Sequence, residues 1–435
     1  MQKITIKNFG PILGIELPVK EFLLFIGPQA SGKSTISKTI FFFKSLRDDL
    51  VKYIFDSVDK GNIDKPLSAF SKATRKKFLE FWGPTQHLDN IFLQYNYNGN
   101  TDVSVTITLE KDQKYVKPDF SPPFKKGFTN IIFETEKFIA ERAKENPAFL
   151  SSHDLLALES EKKSFYKKIE KMANELFNDD KDLIFIPAGR SLLATLSDQL
   201  QNIHPFKLDY LMRAFVDRIN HSKPLFNKSL SEMVYEKEKL TQDKIEFAAV
   251  EMAGKIIEKI LKGSYRFDRE GEKLYFDNHR YMKLNFSSSG QQEAIWILLL
   301  IFLIILENKK VFVVIEEPEA HLYPEAQKDM VDLISLLTNY ADNQTIITTH
   351  SPYILASINN LIYAKKIGDQ KPAAVRDRIN PKLWCDKEKM GTYFIDKGGF
   401  IDIMAEDLGL IKTEAIDSAS NIINDEYEFL FDLDE

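Results

Sequence analysis

The chain has 435 residues, 44% of them hydrophobic and 28% charged, an ordinary globular composition with room for two or three domains or one large domain with an insertion. A formal net charge of −6 excludes a global basic signature, so nucleic-acid contact would have to come from local patches. The one cysteine, Cys385, excludes a disulfide framework and a cysteine-rich metal site and fits a reducing, cytoplasmic setting.

The start, MQKITIKNFGPILGIEL, alternates in polarity like strands and has no signal-peptide core. Residues 4–7 and 12–17 are expected strands separated by a Gly-Pro turn, and FLLFI at 22–26 is a short buried strand. GPQASGKST follows, and a helical pattern runs from 33 to about 55. Residues 91–109 read as a hairpin around Asn98-Gly99-Asn100, with Val103, Val105, Ile107 and Leu109 on one face.

From about 133 to 180 the chain is rich in Lys and Glu at helical spacing. Both signs interleave, which favours a solvated helical face over a nucleic-acid patch. A short strand at 183–186 ends in Pro187-Ala188-Gly189-Arg190, and a further helical stretch runs from 191 to about 261. Pro147, Pro205 and Pro224 interrupt these patterns, so the helical part should be compact and not one long coiled arm.

Short strands are expected at 265–267, 274–276 and 282–284. NFSSSGQQEAIWILLL comes next, and its apolar run over 294–306 is 13 residues long. A bilayer-spanning helix needs about 20, so the run is expected to be a core helix and no membrane contact is expected. VFVVI at 311–315 has the continuous apolar character of a central parallel strand. A helix at 324–337 and a strand at 345–348 follow. The end, NDEYEFLFDLDE, is acidic with apolar punctuation, either a frayed terminus or a partner-binding tail. The expected segments are 1–130, a helical insertion over 131–262, a second α/β part over 263–365, and an extension over 366–435.

Three motifs carry chemistry. GPQASGKST fits G-x-x-x-x-G-K-S/T between an apolar strand and a helix. Gly27 and Gly32 let the backbone wrap a phosphate chain, so that the N–H groups from Ser31 to Thr35 face the anion. Lys33 then reaches the β- and γ-phosphates and Ser34 offers its hydroxyl to Mg²⁺. VFVVIEEPEAHL delivers Glu316 and Glu317 to the C-terminal end of a strand, where open parallel sheets bind ligands. Glu316 falls at a metal position, and Glu317 at a position to polarise water. IITTHSPYIL places His350 just past another strand, where an imidazole can hold the γ-phosphate or the attacking water. Finally, Ser288, Ser289, Gly290 and Gln291 form a small-residue turn ahead of a buried helix, a second anion-binding helix tip.

The order of phosphate loop, serine-glycine turn, Glu-bearing strand and His resembles the ATP-binding-cassette class of P-loop ATPases. The resemblance implies an α/β head with a mixed β-sheet and flanking helices, interrupted by the helical insertion. It also implies ATP and Mg²⁺ as cofactors, and a homodimer, or a higher oligomer, joined through the heads. In that arrangement the Ser288–Gln291 turn of one copy caps the γ-phosphate on the other. The pattern Ile6-Lys7-Asn8-Phe9-Gly10-Pro11-Ile12 looks like the branch with SMC and RecF-type proteins. EEPEAHLYP followed by THSPYIL is similar to the OLD-like group, of AAA_15 and AAA_21 type, and within it to ATPase subunits of the Septu, PARIS and retron-linked anti-phage systems. Two departures, Glu316 where Asp is usual and Ser289 where the first Gly of L-S-G-G-Q is usual, imply slow turnover or use of ATP as a clamp. Gln86 is the candidate for a magnesium-sensing Gln, and Arg190 lies near the nucleotide or interface, or in a loop salt bridge. No paired D-x-D follows the His-bearing strand, so a separate nuclease or toxin subunit is the expected effector. The competing reading is a repair or chromosome-type ATPase that clamps nucleic acid, for which KATRKK at 72–77 and FKKG at 124–127 are the basic stretches. A transporter ATPase is disfavoured by the SMC-like N-terminus and the size of the insertion.

Overall fold

A computed structural model of the chain describes all residues except 111–114, 144–151, 192, 194–207, 242–244, 278, 406–408, 413–423 and 432–435; within 152–155 it describes the backbone alone. The architecture is mixed α/β, as expected, and it divides into two compact units that interleave along the chain. The first comprises Met1–Val19, Thr35–Leu183 and Lys397–Gly399, and the second Lys20–Ser34, Ile184–Asp396 and Phe400–Glu435. The sequence pattern predicts four consecutive segments, whereas these units draw on separated stretches of chain.

In the first unit, β1 (Gln2–Phe9) and β2 (Ile12–Val19) pair antiparallel across the Gly10-Pro11 turn. β4 (Phe92–Asn98) and β5 (Val103–Leu109) form the expected hairpin. β6 (Val116–Phe120) completes a five-stranded sheet in the order β2-β1-β4-β5-β6. Helix α1 (Lys33–Lys60) starts at the phosphate loop and continues into this unit, and α2 (Pro66–Trp82), α3 (Pro122–Arg142) and α4 (Ser152–Phe177) follow. Aromatic side chains fill its interior: Phe42 packs edge-on against Phe78, Phe81 and Trp82. Lys44 is buried against Asp179 at 2.5 Å, a pair whose mutual charge offsets part of the cost of burial. Helix α2, absent from the sequence reading, is amphipathic over PLSAFSKATRKKFLEFW, with Phe70, Thr74, Lys77 and Phe78 inward.

The second unit is built on a six-stranded sheet in the order β14-β13-β3-β12-β11-β7. Its strands are β3 (Phe22–Ile26), β7 (Asp182–Ile186, which begins at the unit boundary), β11 (Val311–Glu316), β12 (Gln344–Thr349), β13 (Met390–Asp396) and β14 (Gly399–Asp402). The central four, β13, β3, β12 and β11, run parallel. Their continuous apolar stretches match that burial, since strands covered on both faces do not alternate. A three-stranded sheet, β10-β9-β8, uses β8 (Ser264–Asp268), β9 (Gly271–Tyr275) and β10 (Tyr281–Lys283). The helices are α5 (Tyr210–Ser222), α6 (Leu230–Leu240), α7 (Phe247–Leu261), α8 (Ser289–Leu306), α9 (Pro324–Thr338), α10 (Pro352–Gly368) and α11 (Pro372–Arg376).

Helix α8 is long and apolar enough to meet a membrane-span length, but Gly290 and every residue from Gln292 to Leu306 are buried within this unit. A helix that is hydrophobic all round is either lipid-facing or a core element, and burial here makes α8 the core element that the short apolar run predicted. Most of the helical part expected over 131–262 falls to both units: α3 and α4 pack in the first, β7 and α5–α7 in the second. Strand β13 joins the sheet directly beside β3, so the last 70 residues contribute to the sheet that carries the phosphate loop.

Candidate nucleotide site

The register of the parallel strands brings the three motifs to one edge. Glu316 pairs with Thr348 across β11 and β12, and Thr349 pairs with Ile26 across β12 and β3. The phosphate loop, the carboxylate segment and the His350 segment therefore leave three neighbouring strands at their C-terminal ends, the place where parallel sheets bind ligands.

In the loop, Gly27 adopts a φ of 149° and a Cβ there would lie 2.2 Å from the Ile395 carbonyl oxygen. Glycine is required at that position by both conformation and space. Gly32 also has positive φ, at 107°. Ser31 is buried and Ser34 is exposed at the first turn of α1, followed by the half-buried Thr35, the first residue of the other unit. The Lys33 ammonium donates to the Gly27 and Pro28 carbonyls at 2.8 and 2.7 Å, with the Ser31 hydroxyl at 3.5 Å. Burial pulls its pKa down to about 8, opposed by the negative charges of Glu317 and Glu319. Lys33 thus shares one electrostatic neighbourhood with the carboxylate segment.

Glu316 is buried; its Oε2 accepts from the Ala188 N–H at 3.4 Å, and its Oε1 has no hydrogen-bond partner among the described residues. A buried carboxylate oxygen without a donor is costly unless a cation or ordered water meets it. That orphaned oxygen fits the metal position expected of Glu316. Glu317 has a φ of 46°, a left-handed conformation that costs a non-glycine residue on the order of 1–3 kcal/mol. Its N–H donates to the Thr348 carbonyl at 2.9 Å, and its Oε1 lies 3.5 Å from His350 Nε2. Strain at a residue gripped this way is the kind that collects at working sites.

Glu319, not singled out from the sequence, accepts from the Thr349 hydroxyl at 2.6 Å and the His350 N–H at 2.8 Å through Oε1, while its Oε2 is buried without a partner among the described residues. It ties the carboxylate turn to the histidine turn. The one signal available in the sequence was its charge in E-E-P-E directly after a buried strand.

The serine-glycine turn caps α8. Ser288 Oγ accepts from the Gln291 N–H at 3.3 Å, and Gln291 Oε1 accepts from the Ser288 N–H at 3.1 Å, a reciprocal capping box. Gln291 Nε2 also reaches the Leu261 carbonyl at 2.7 Å. Ser288 and Ser289 are exposed, whereas Gly290 is buried where a Cβ would stand 2.6 Å from the His321 carbonyl oxygen. The tip therefore packs by its glycine on the turn that follows Glu317 and presents its serines outward.

Gln86 occupies an exposed turn after α2 in the first unit. Arg190 is buried and bonded at all three guanidinium nitrogens: it meets the Glu293 carboxylate and the carbonyls of Pro187, Glu293, Glu316 and Glu317. Of the two alternatives expected for it, the structure shows the loop salt bridge, with Glu293, and it adds bonds to the backbone of the carboxylate segment. In the basic stretch at 72–77, three side chains form ion pairs within the unit: Arg75 with Glu110, Lys76 with Glu80 and Lys77 with Asp49. Lys125 pairs with Asp119. The acidic end is helical over 424–431, with Tyr427, Phe429, Leu430 and Phe431 exposed.

Residues 1–355 match the family described as AAA_15: AAA ATPase domain. No curated protein matches the sequence. Among solved structures, an SMC head bound to the C-winged helix domain of ScpA is 12% identical, with 82% of this chain and 91% of that one covered at a TM-score of 0.37. The SMC head domain from Thermotoga maritima is 13% identical over 82% and 90%, with a TM-score of 0.34. The Pyrococcus furiosus Smc head with an extended coiled coil is 10% identical over 98% and 100%, at 0.38.

Proposed function

Because the chain belongs to the AAA_15 family of ATPase domains, we propose that it is a slow ATPase working as a nucleotide-dependent switch. In this reading two copies meet through their heads around ATP, and the closed assembly holds or activates a separate effector subunit, a nuclease or toxin, in cytoplasmic anti-phage defence. The observation that carries the ATPase part is the convergence of Lys33, Glu317, Glu319 and His350 at one sheet edge, with a buried oxygen on Glu316 that has no partner among the described residues. The defence assignment rests on the resemblance of EEPEAHLYP and THSPYIL to the OLD-like ATPases.

The residues divide the work as follows. The loop from Gly27 to Thr35 offers backbone N–H groups to the phosphates. Lys33, already charged at neutral pH, exchanges the Gly27 and Pro28 carbonyls for phosphate oxygens. Ser34 and Glu316 would hold the metal ion. When bound, magnesium supplies charge neutralisation at the phosphate oxygens. Glu317 orients the attacking water and takes its proton on a carboxylate oxygen. His350 steadies that carboxylate and the γ-phosphate side of the water, while Glu319 fixes the His350 backbone. Ser288, Ser289, Gly290 and Gln291 of a second copy close the site as a helix N-terminus aimed at the anion. Binding energy available only in the closed pair shifts the assembly toward it.

The test uses the full chain and its Glu317→Gln variant. The wild type should hydrolyse ATP to ADP and phosphate. The variant should lose roughly 100-fold or more of that rate, in line with loss of a general base, and should accumulate as an ATP-bound assembly by mass photometry. Affinity capture of the ATP-bound variant should retain the product of an adjacent reading frame. Wild-type hydrolysis by the variant overturns the role of Glu317, and an assembly state indifferent to ATP overturns the switch.

A further inference from the structure

Arg190 and Glu293 take no part in the steps above, yet both are buried and hydrogen-bonded to the carboxylate segment or to each other. The Glu293 carboxylate accepts from the backbone N–H groups of Arg190 and Ser191, at 3.0 and 2.9 Å. Its backbone carbonyl accepts from Arg190 Nε at 2.9 Å. The far end of the guanidinium donates from Nη1 to the Glu316 carbonyl at 2.7 Å and to the Pro187 carbonyl at 2.6 Å, and from Nη2 to the Glu317 carbonyl at 2.9 Å. Glu293 lies five positions after Ser288, so the pair is rooted through Glu293 in the first turns of α8. Burial lowers the Arg190 pKa, and the carboxylates of Glu293, Glu316, Glu317 and Glu319 oppose that.

We propose that Arg190, anchored on Glu293, is the positioning residue that holds Glu317 in its working conformation and links it to the serine-tipped helix. The physical reason lies in the peptide groups. A φ of 46° at Glu317 is unfavourable for a residue with a side chain, so the chain keeps it only where neighbouring bonds overdetermine it. Here three bonds do so: the Glu317 N–H is held by the Thr348 carbonyl, and the carbonyls on both sides of that residue's Cα, those of Glu316 and Glu317, are held by one rigid guanidinium. A planar fork fixes two acceptors at once, which a lysine ammonium on a flexible stem does not. Without it the Glu316–Glu317 segment relaxes toward ordinary φ, and the Glu317 carboxylate leaves its place beside His350. Because the same guanidinium is seated on α8, a force that moves the Ser288–Gly290 tip reaches Glu317 through two buried hydrogen-bonded residues. This inference rests on the reading of Glu317 as the water-activating residue.

The experiment compares Arg190→Lys, Glu293→Gln and Glu317→Gln singly and combined in the full chain, measuring kcat, KM and the affinity for a fluorescent ATP analogue. Arg190→Lys should bind the analogue within about twofold of wild type and keep KM within about threefold, while kcat falls by roughly tenfold or more, the signature of an interaction that serves the transition state alone. Glu293→Gln should act in the same direction. Added to Glu317→Gln, Arg190→Lys should lower the residual rate no further, since the residue it positions is already gone. Loss of rate that is fully additive with Glu317→Gln overturns the proposal, as does an unchanged kcat in a folded Arg190→Lys chain. If Arg190→Lys does not fold, the isosteric Glu293→Gln carries the comparison, and failure of both to fold assigns the pair to stability alone and overturns it too. A normal rate in Glu317→Gln by itself defeats the underlying reading instead, which separates the two failures.

Discussion

At the scale of single residues the site is a set of charges held at a cost. Lys33 is the clearest case. Burial has pulled its pKa to about 8, and a bound triphosphate would raise it again by opposite charge. Below about pH 8 the ammonium is present before and after binding, so affinity should be flat. Above it the free site is increasingly neutral and binding must take up a proton, so affinity should fall by up to about tenfold per pH unit. Titrating a fluorescent ATP analogue between pH 7.2 and 9.5 measures this, and a flat profile in the wild type refutes the placement of Lys33 on the phosphates. Lys33→Ala should bind roughly 100-fold more weakly, the loss of a charge-assisted bond of about 3 kcal/mol, and should show no such pH dependence. Residues of this kind were legible early: Gly27, Lys33, Glu316, Glu317 and His350 carry their chemistry in type and spacing. Glu293 and Glu319 were not, because a lone Glu on an apolar helix or after a Pro has no meaning until its hydrogen-bond donors are known.

At the scale of elements the serine-tipped helix has a structural role, to which the proposed function adds a binding one. The capping box of Ser288 and Gln291 satisfies orphan N–H groups of α8, and Gly290 lets the tip approach the His321 carbonyl. Ser288→Ala should cost about 1 kcal/mol of stability through the cap, read by chemical denaturation. Ser288→Arg adds bulk and charge on an exposed face and should abolish the ATP-dependent assembly of the Glu317→Gln chain while leaving analogue binding to a single chain within about twofold. Sedimentation of that double variant in ATP checks it; normal assembly would count against a site completed by a second copy. The same helix shows how far pattern reading reaches: the apolar run over 294–306 predicts a core helix, and α8 is buried within its unit although its full length is long and apolar enough for a membrane span. Helix α2 was missed because its apolar positions are spread among lysines, one of which, Lys77, is itself buried on Asp49 and the Ser45 carbonyl.

At the scale of the whole molecule, the last 70 residues include a strand of the nucleotide-binding sheet. Strand β13 pairs with β3 in parallel register from Met390↔Phe22 to Phe394↔Ile26, and the Ile395 carbonyl lies against Gly27. A chain ending at residue 368 would expose one edge of the apolar strand β3, an invitation to aggregation, and remove the wall of the phosphate loop. It should be insoluble, or melt roughly 10 °C or more below the full chain and fail to bind the ATP analogue. A chain ending at residue 412 keeps β13 and β14 and should bind normally. Wild-type affinity in the shorter chain would show that β13 is dispensable.

The sequence by itself determined the α/β class, the core nature of α8 and membership of a P-loop ATPase-domain family, because these reside in local pattern: strand, glycine loop, lysine, helix, all within a few residues. Tertiary structure alone decided that β13 borders β3, that the helical middle is shared between two units, and that Arg190 grips the Glu317 peptide from Glu293. Those outcomes depend on pairings between residues from about 100 to more than 360 positions apart, and on which buried donors meet which acceptors. Neither leaves a periodic trace along the chain.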